Sequence, residues 1–265
     1  MTIDPTARVE DGAVIGVGTS IGPYCIVGSH AVIAPDCQLI SHVHVTGQTA
    51  IGAGCTIYPY ASLGAPPQSL AYRGELTRLE IGQGCTIREQ VTMNAGTAAG
   101  GGVTRVGDRG HFMNCSHVGH DCVVGNDVTF ATSATLGGHC EIGDFVHMGQ
   151  LAAAHQFVRI GAQAMIDAAS CARADVIPFG LASGQSACLV GLNVAGMKHR
   201  NFSCQRLAVL EAFYQQLFHG PGIFAERLDK AKHLAGTDPA IAEILAFIEA
   251  DRHRALCLPA KTGGH

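Results

Sequence analysis

Tryptophan is absent from this 265-residue chain, and only 14% of its residues are charged. Thirty-four glycines alongside that absence are unusual for a doubly wound α/β enzyme, where tight turns are fewer. The basic excess of a non-specific nucleic-acid binder is missing as well: the formal net charge is −4. No apolar run approaches the roughly 18 residues of a membrane span. The first residues, MTIDPTARVEDG, carry charges early and lack the apolar region of a signal peptide. These absences predict a soluble, cytoplasmic protein that binds no nucleic acid. Eleven cysteines invite a zinc or disulfide reading, but no Cys-x-x-Cys pair occurs, which removes the strongest zinc signal.

What the chain has is a period. Steps of six from Ile3 land on Val9, Ile15, Ile21, Val27, Ile33, Leu39, Val45, Ile51, Ile57 and Leu63. The series resumes at Ile81, Ile87 and Met93, and again from Val106 through Phe112, Val118, Val124, Phe130, Leu136 and Ile142 as far as Ala172. Four residues past each aliphatic the side chain is small, as at Ala31, Val43, Ala61, Ser116 and Ala134. Neither an amphipathic helix nor a two-residue alternation has this period. It fits a parallel β-helix of hexapeptides, one face of a triangular prism per repeat. The large aliphatic and the small residue point inward, and glycine after the aliphatic is expected to relieve strain at the corners. Cys25, Cys37, Cys55, Cys85, Cys122 and Cys140 all fall on the small inward position, where a thiol acts as a small hydrophobe. Residues 18 apart should stack on neighbouring coils at about 4.8 Å. Such prisms coil left-handed, a property of the architecture that spacing does not reveal.

Two segments interrupt the rhythm, GAPPQSLAYRGELTRLE (64–80) and NAGTAAGGGVTR (94–105), and loops leaving a rigid solenoid tend to carry function. Past residue 190 the hexads stop. A helix is expected after Ser203, with Leu207, Leu210, Tyr214 and Leu217 on one face and Gly220-Pro221 at its end. Asp238-Pro239 should open another, burying Ile241, Ile244, Leu245 and Ile248. The expected organisation is a left-handed β-helix over 1–190 and a small helical domain over 191–265. The charges of 225–254 read as solvated faces.

Histidines then stand out by register. His117, His120, His139 and His155 avoid the inward steps and fall on one side of successive coils, with Asp121 beside His120. A lone exposed histidine is usually decoration; four on one strip point to proton-transfer chemistry near neutral pH. His30, His42, His44, His219, His233, His253 and His265 lie off the strip and receive no role.

The segments MNCSHVGHDCVVGN, ATLGGHCEIGD, AAAHQFVRIGA and GLNVAGMKHRNFS, in that order, resemble the acyl-[acyl-carrier-protein]–UDP-N-acetylglucosamine O-acyltransferases of lipid A biosynthesis. The likeness covers nearly the whole chain, including both interruptions and the helical tail. It implies a homotrimer with active sites in the clefts between prisms and acyl carrier protein as the partner. His120 would be the general base that takes the proton from the sugar 3-hydroxyl, Asp121 its orienting carboxylate, and the Gly138 N–H the oxyanion donor. His117, His139 and Gln156 would contact the acceptor sugar, as would Gln68 and Ser69 of the first interruption. His155 would lie with Gln156 near the acyl chain, Asn193 and Arg200 would hold the nucleotide, and Asp167 and Ala168 would line the acyl channel. The resemblance implies no metal and no cofactor beyond the phosphopantetheine thioester of the donor, since a base and fixed N–H donors suffice for an activated thioester.

Departures accompany the likeness. The family's usual Gln-Asp-Leu-Lys-Tyr is Gln68-Ser69-Leu70-Ala71-Tyr72, its Glu is Ala195, an Arg is His199, and its Gly-Gly is Asp167-Ala168. Each charged hydrogen bond lost costs about 1.5–3 kcal/mol. The sequence therefore leaves open a paralogue that keeps the donor and His120 but acylates another sugar nucleotide or an amine. A zinc lyase using His117 and His120 needs a third protein ligand that the motif does not supply.

Overall fold

The computed structural model describes residues 2–250 and 253–260; His265, and with it the end of the expected tail domain, lies outside them. Each hexapeptide forms a short strand that ends on its inward aliphatic. His117–Val118, Thr135–Leu136 and Ala153–Ala154 are three such strands, paired in parallel with Val118 opposite Leu136 and Leu136 opposite Ala154. Every third strand belongs to the same sheet, so the chain builds three walls in rotation. The first wall begins at Thr2–Ile3, the second at Arg8–Val9 and the third at Val14–Ile15. The column winds left-handed, against the ordinary right-handed crossover preference.

The interior is the predicted stack. Phe112, Val118, Phe130, Leu136 and Met148 are fully buried, and the rings of Phe112 and Phe130 meet edge to face at 5.1 Å. All six small-position cysteines are buried and unbridged. Cys37 and Cys122 donate to main-chain carbonyls of the next coil, Gly52 and Gly137, both at 3.1 Å. A thiol thus fills a gap that a larger side chain would overfill.

Two expectations need correction. Glycines after the aliphatic do not turn the corners. The left-handed residue lies three past the aliphatic and is mostly not glycine: Cys115, Asp121, Asp127, Ser133, His139, Phe145, Leu151 and Phe157 all have φ between 56° and 64°. Gly119 and Gly137 are required instead by coil spacing, because a Cβ on either would stand 2.8 Å from main-chain atoms of the next coil. Secondly, the 18 residues from Leu63 to Ile81 are not a full coil. Leu63 belongs to the second wall and Ile81 to the third, where it pairs with Ile51. The interruption is an excursion from the edge between those walls. The second interruption, containing a 3₁₀ turn at Ala98–Gly100, leaves from the same edge.

An antiparallel pair, Gly180–Ser183 with Cys188–Leu192, closes the first wall, so its last strand runs past the expected division at 190. Four helices follow: α1 (Val194–His199), α2 (Cys204–His219), α3 (Phe224–Ala231) and α4 (Pro239–Glu249). Ser203 caps α2 and Asp238 caps α4, and the expected apolar faces are buried. Arg206 grips Asp238 through two bonds of 2.7 and 2.8 Å, joining the two caps. The charges of 225–254 are not all solvated. Arg227 donates to the carbonyls of Leu217 and Gly220, satisfying the end of α2. Beyond α4 the tail returns to the column: the Asp175 N–H donates to Ala255, Cys257 donates to Asp175, and Leu189 donates to Leu258. Among the described residues no helix is long and apolar enough to cross a membrane.

Candidate active site

His120, Asp121, Gly138, His139, His155 and Gln156 gather on the edge between the second and third walls. Two columns run along it with the 18-residue repeat: His120, Gly138 and Gln156, and beside them Asp121, His139 and Phe157. Asp121, His139 and Phe157 occupy left-handed corners with φ of 60°, 61° and 64°, which turns their side chains out of the prism together. The His139 and Phe157 rings stack flat, 4.4 Å apart, and His120 meets His139 edge to face at 5.0 Å. No ring enters the interior. Neither is the strip an open wall: the His120 side chain keeps 12% of its exposure and Asp121 only 1%.

The second interruption supplies that cover. Thr97 donates to Asp121 twice, from its N–H at 2.7 Å and its hydroxyl at 2.6 Å, while the Thr104 hydroxyl accepts from the Asp121 N–H at 2.8 Å. A Cβ on Gly100 would lie 2.2 to 2.5 Å from the Asp121 carboxyl atoms. The loop is glycine-rich where it is pressed onto this carboxylate.

Asp121 Oδ2 lies 2.8 Å from His120 Nδ1. A carboxylate only accepts, so the ring carries its proton on Nδ1 and leaves Nε2 as a free lone pair. That is the tautomer a general base needs. The ring lies against Gly138: a Cβ there would stand 2.5 Å from His120 Cε1 and 2.7 Å from Nε2. The Gly138 N–H makes no hydrogen bond among the described residues. An imidazole with a free Nε2 therefore packs against a glycine whose N–H is unspent. His117, on the second wall, pairs through Nδ1 with the Thr92 hydroxyl at 2.7 Å. Burial, helped by His120, pulls the His117 pKa below its ordinary value; burial also lowers that of His139, against the opposing pull of Asp121. Both rings are neutral at pH 7 and can donate to or accept from a sugar hydroxyl.

His120, Asp121 and His139 are also the one grouping among the described residues whose donor atoms lie close enough to hold a metal, all within 4.8 Å. The carboxylate already accepts three hydrogen bonds, however, and a cation would have to displace the His120 proton.

Other expected residues lie elsewhere on the same chain. Gln68 and Ser69 sit in the first excursion, tied to the same edge by Asn94, whose side chain donates to the Pro66 carbonyl at 3.1 Å. Leu70 at the tip is 99% exposed. Asp167 and Ala168 follow the first wall, on its edge with the second, and Asp167 accepts from Ser183 and from the Ala168 N–H, both at 2.9 Å. Asn193 and Arg200 are on the edge between the third and first walls. Asn193 caps α1 and donates to the Gln163 carbonyl; Arg200 donates to the Gln163 side chain at 2.7 Å. The buried Nη2 of Arg200 has no acceptor among the described residues. With Ala195, His199, Phe145 and His147 these residues line a groove of about 390 Å³. One chain does not bring this groove to His120.

Residues 175–257 match the family described as Udp N-acetylglucosamine O-acyltransferase, Domain 2. A protein of Azorhizobium caulinodans named acyl-[acyl-carrier-protein]–UDP-N-acetylglucosamine O-acyltransferase is 53% identical over 259 residues, covering 98% of this chain and 96% of its own. One of the same name from Rhizobium johnstonii is 44% identical over 259 residues, covering 98% and 95%. The chain belongs to this acyltransferase family. The crystal structure of the UDP-N-acetylglucosamine O-acyltransferase of Moraxella catarrhalis superposes with a TM-score of 0.93 at 38% identity, covering 97% of this chain and all of that one. The departures at Ser69, Ala71, Ala195 and His199 thus occur in a chain that keeps the family's full length and fold.

Several contributors to the edge were missed from sequence. Phe157 was legible, since it follows His139 by 18. Thr97 and Thr104 lay inside a segment marked only as a break in rhythm. By register His253 falls off the strip, and Arg254 reads as part of a solvated face. Yet the His253 ring lies 5.4 Å from Phe157, and Arg254 bonds to both His155 and Gln156. Nothing in the hexad pattern announces a tail that folds back.

Proposed function

We propose that the protein transfers an acyl group, a 3-hydroxyacyl group in the specific reading, from acyl carrier protein to the 3-hydroxyl of UDP-N-acetylglucosamine. The observation that carries this is the His120 Nδ1–Asp121 contact at 2.8 Å, which leaves Nε2 free on a ring packed against Gly138, whose N–H is unspent. Nε2 takes the proton of the attacking hydroxyl. The oxygen adds to the thioester carbonyl, and the Gly138 N–H receives the developing oxyanion. Collapse expels the phosphopantetheine thiolate, which recovers the proton from His120. Asp121 steadies the transient imidazolium. The donor thioester is already activated, so no cofactor enters the step.

His117, His139, Gln156, Gln68 and Ser69 are assigned to the acceptor sugar, and His155 with Gln156 to the acyl side. Asp167 and Ala168 go to the acyl channel, and Asn193 and Arg200 to the nucleotide, for whose phosphate the unspent Arg200 donor is suited. Since the Arg200 groove and the His120 edge lie on different sides of one prism, a complete site takes one edge from each of two copies. A homotrimer working in the cytoplasm is the assembly proposed. No observation favours another acceptor, and the relatives with this name match over the full chain. Replacing His120 by Ala should lower transfer at least ~100-fold while binding of the sugar nucleotide persists. Unchanged turnover would remove His120 as the base.

A further inference from the structure

The return of the tail places a cation on a histidine. Arg254 Nη2 lies 2.7 Å from His155 Nδ1, and Arg254 Nε donates to the Gln156 carbonyl at 2.9 Å. The arginine is held there by the main-chain lacing just beyond it, where Ala255 accepts from Asp175 and Cys257 donates back. A guanidinium has donors only and does not deprotonate in a protein. The nitrogen it faces must therefore be a lone pair. We propose that Arg254 is a positioning residue that fixes His155 in the tautomer protonated on Nε2, making it a hydrogen-bond donor towards an oxygen of the acyl-donor arm.

This sets two histidines of the edge, His120 and His155, in opposite states. Asp121, an acceptor, puts the His120 proton on Nδ1 and frees Nε2 to take a proton. Arg254, a donor, puts the His155 proton on Nε2 and frees nothing. His155 is then unable to act as a second base, and it offers one fixed N–H to a carbonyl or hydroxyl oxygen. Its neighbour Gln156 is anchored by the same guanidinium through the main chain. The His253 ring beside Phe157 brings the tail against the stacked column as well. The donor's role towards substrate rests on the acyl-transfer reading above; the tautomer does not.

The test separates the two. In protein labelled with ¹⁵N-histidine, the His155 signals are identified by their loss in His155→Gln. Two-bond correlations at pH 8 should show Nε2 as the protonated, pyrrole-like nitrogen in the full-length protein. Arg254→Met should shift His155 to a mixture of tautomers, and Arg254→Lys, which keeps a charged donor, should restore most of the Nε2-protonated form. In steady-state transfer, Arg254→Met should raise KM for acyl-[acyl-carrier-protein] about fivefold or more with kcat changed less than threefold, and Arg254→Lys should recover part of it. An Nδ1-protonated or fully charged His155 in the unmodified protein, or an unchanged pattern in Arg254→Met, overturns the assignment. A shifted tautomer with no change in KM would retain the positioning of His155 and overturn its contact with the donor. Loss of all transfer in His155→Gln and in the unmodified protein alike would count against the reaction and leave the tautomer result standing.

Discussion

Exchanging Asp121 for Asn keeps the shape of the side chain and removes one of its two acceptor oxygens. Three donors converge on the native carboxylate: the Thr97 N–H at 2.7 Å, the Thr97 hydroxyl at 2.6 Å and His120 Nδ1 at 2.8 Å. A carboxamide satisfies them in neither orientation. With its NH₂ towards His120, the imidazole must present a lone pair at Nδ1, and the proton moves to Nε2, where the base should be vacant. With its NH₂ towards Thr97, two buried N–H donors oppose each other, and an unpaired one costs about 1–3 kcal/mol. The loop cannot step aside, because Gly100 already lies against the carboxyl group. The first orientation avoids that clash and is therefore the one expected, with the wrong tautomer. The same exchange in a serine-protease triad costs about 10⁴-fold in kcat, and a base alone contributes ~10²–10⁴. Asp121→Asn should thus reduce kcat by about 10³, or roughly 4 kcal/mol of barrier. The assay is chromatographic detection of acylated sugar nucleotide well below the melting transition. Activity within tenfold of the native protein, in a variant of unchanged stability, would refute the orienting role.

Gly138→Ala places a methyl 2.5–2.9 Å from three atoms of the His120 ring, where contact normally begins near ~3.5 Å, so the ring must move by about 1 Å. A ~100-fold loss of kcat is expected, with sugar-nucleotide affinity kept; a variant with native kcat would show that the ring is not catalytic as placed. Stability should also depend on pH in a defined direction. Burial lowers the pKa of His117, His139 and His147 from 6.5, so below that value the unfolded chain takes up protons first. Stability is then fully present above pH ~6.5 and declines as the pH falls further. His147→Gln, on the first wall, should flatten the decline of melting temperature between pH 7.5 and 5.5, and a native protein with a flat profile there would contradict these shifts.

How far the sequence could be read follows from what repeats. Val118, Leu136 and Cys122 were legible because a six-residue beat fixes which residues face inward, and position alone then decides burial. Gly138 and Gln156 come only with the family resemblance, whereas the same beat puts His120, His139 and His155 on one side of successive coils with Asp121 beside His120. It failed at two kinds of place. Glycine is the residue this left-handed corner usually favours, yet Asp121, His139 and Phe157 occupy it on successive coils. Here the coil's own hydrogen bonds overrule a local preference. Contacts made across long sequence separations were also invisible. Thr97 on Asp121 spans 24 residues through an irregular loop, and Arg254 on His155 spans 99. α1 went unseen because six residues with a central glycine carry no helical period, and α3 because its charges suggested solvent.

The arrangement of edges makes the assembly itself testable. Both excursions and the His120 column use the edge between the second and third walls, while Arg200 and its groove use the edge between the third and first. Side chains fixed to different edges of a stiff prism cannot be brought together by flexing it, because every coil is hydrogen-bonded to the next. If each working site joins the His120 edge of one copy to the Arg200 groove of its neighbour, two inactive variants should complement. His120→Ala and Arg200→Ala, co-expressed in equal amounts, would then form mixed assemblies in which about one interface in four pairs an intact His120 with an intact Arg200. Mixed assemblies should then recover about a quarter of native transfer, whereas the separately purified variants, combined without exchange, should stay inactive. If both residues served the same chain's site, no mixture would contain an intact one. Activity of the co-expressed protein no greater than the mean of the two variants would therefore return the Arg200 groove to some other purpose.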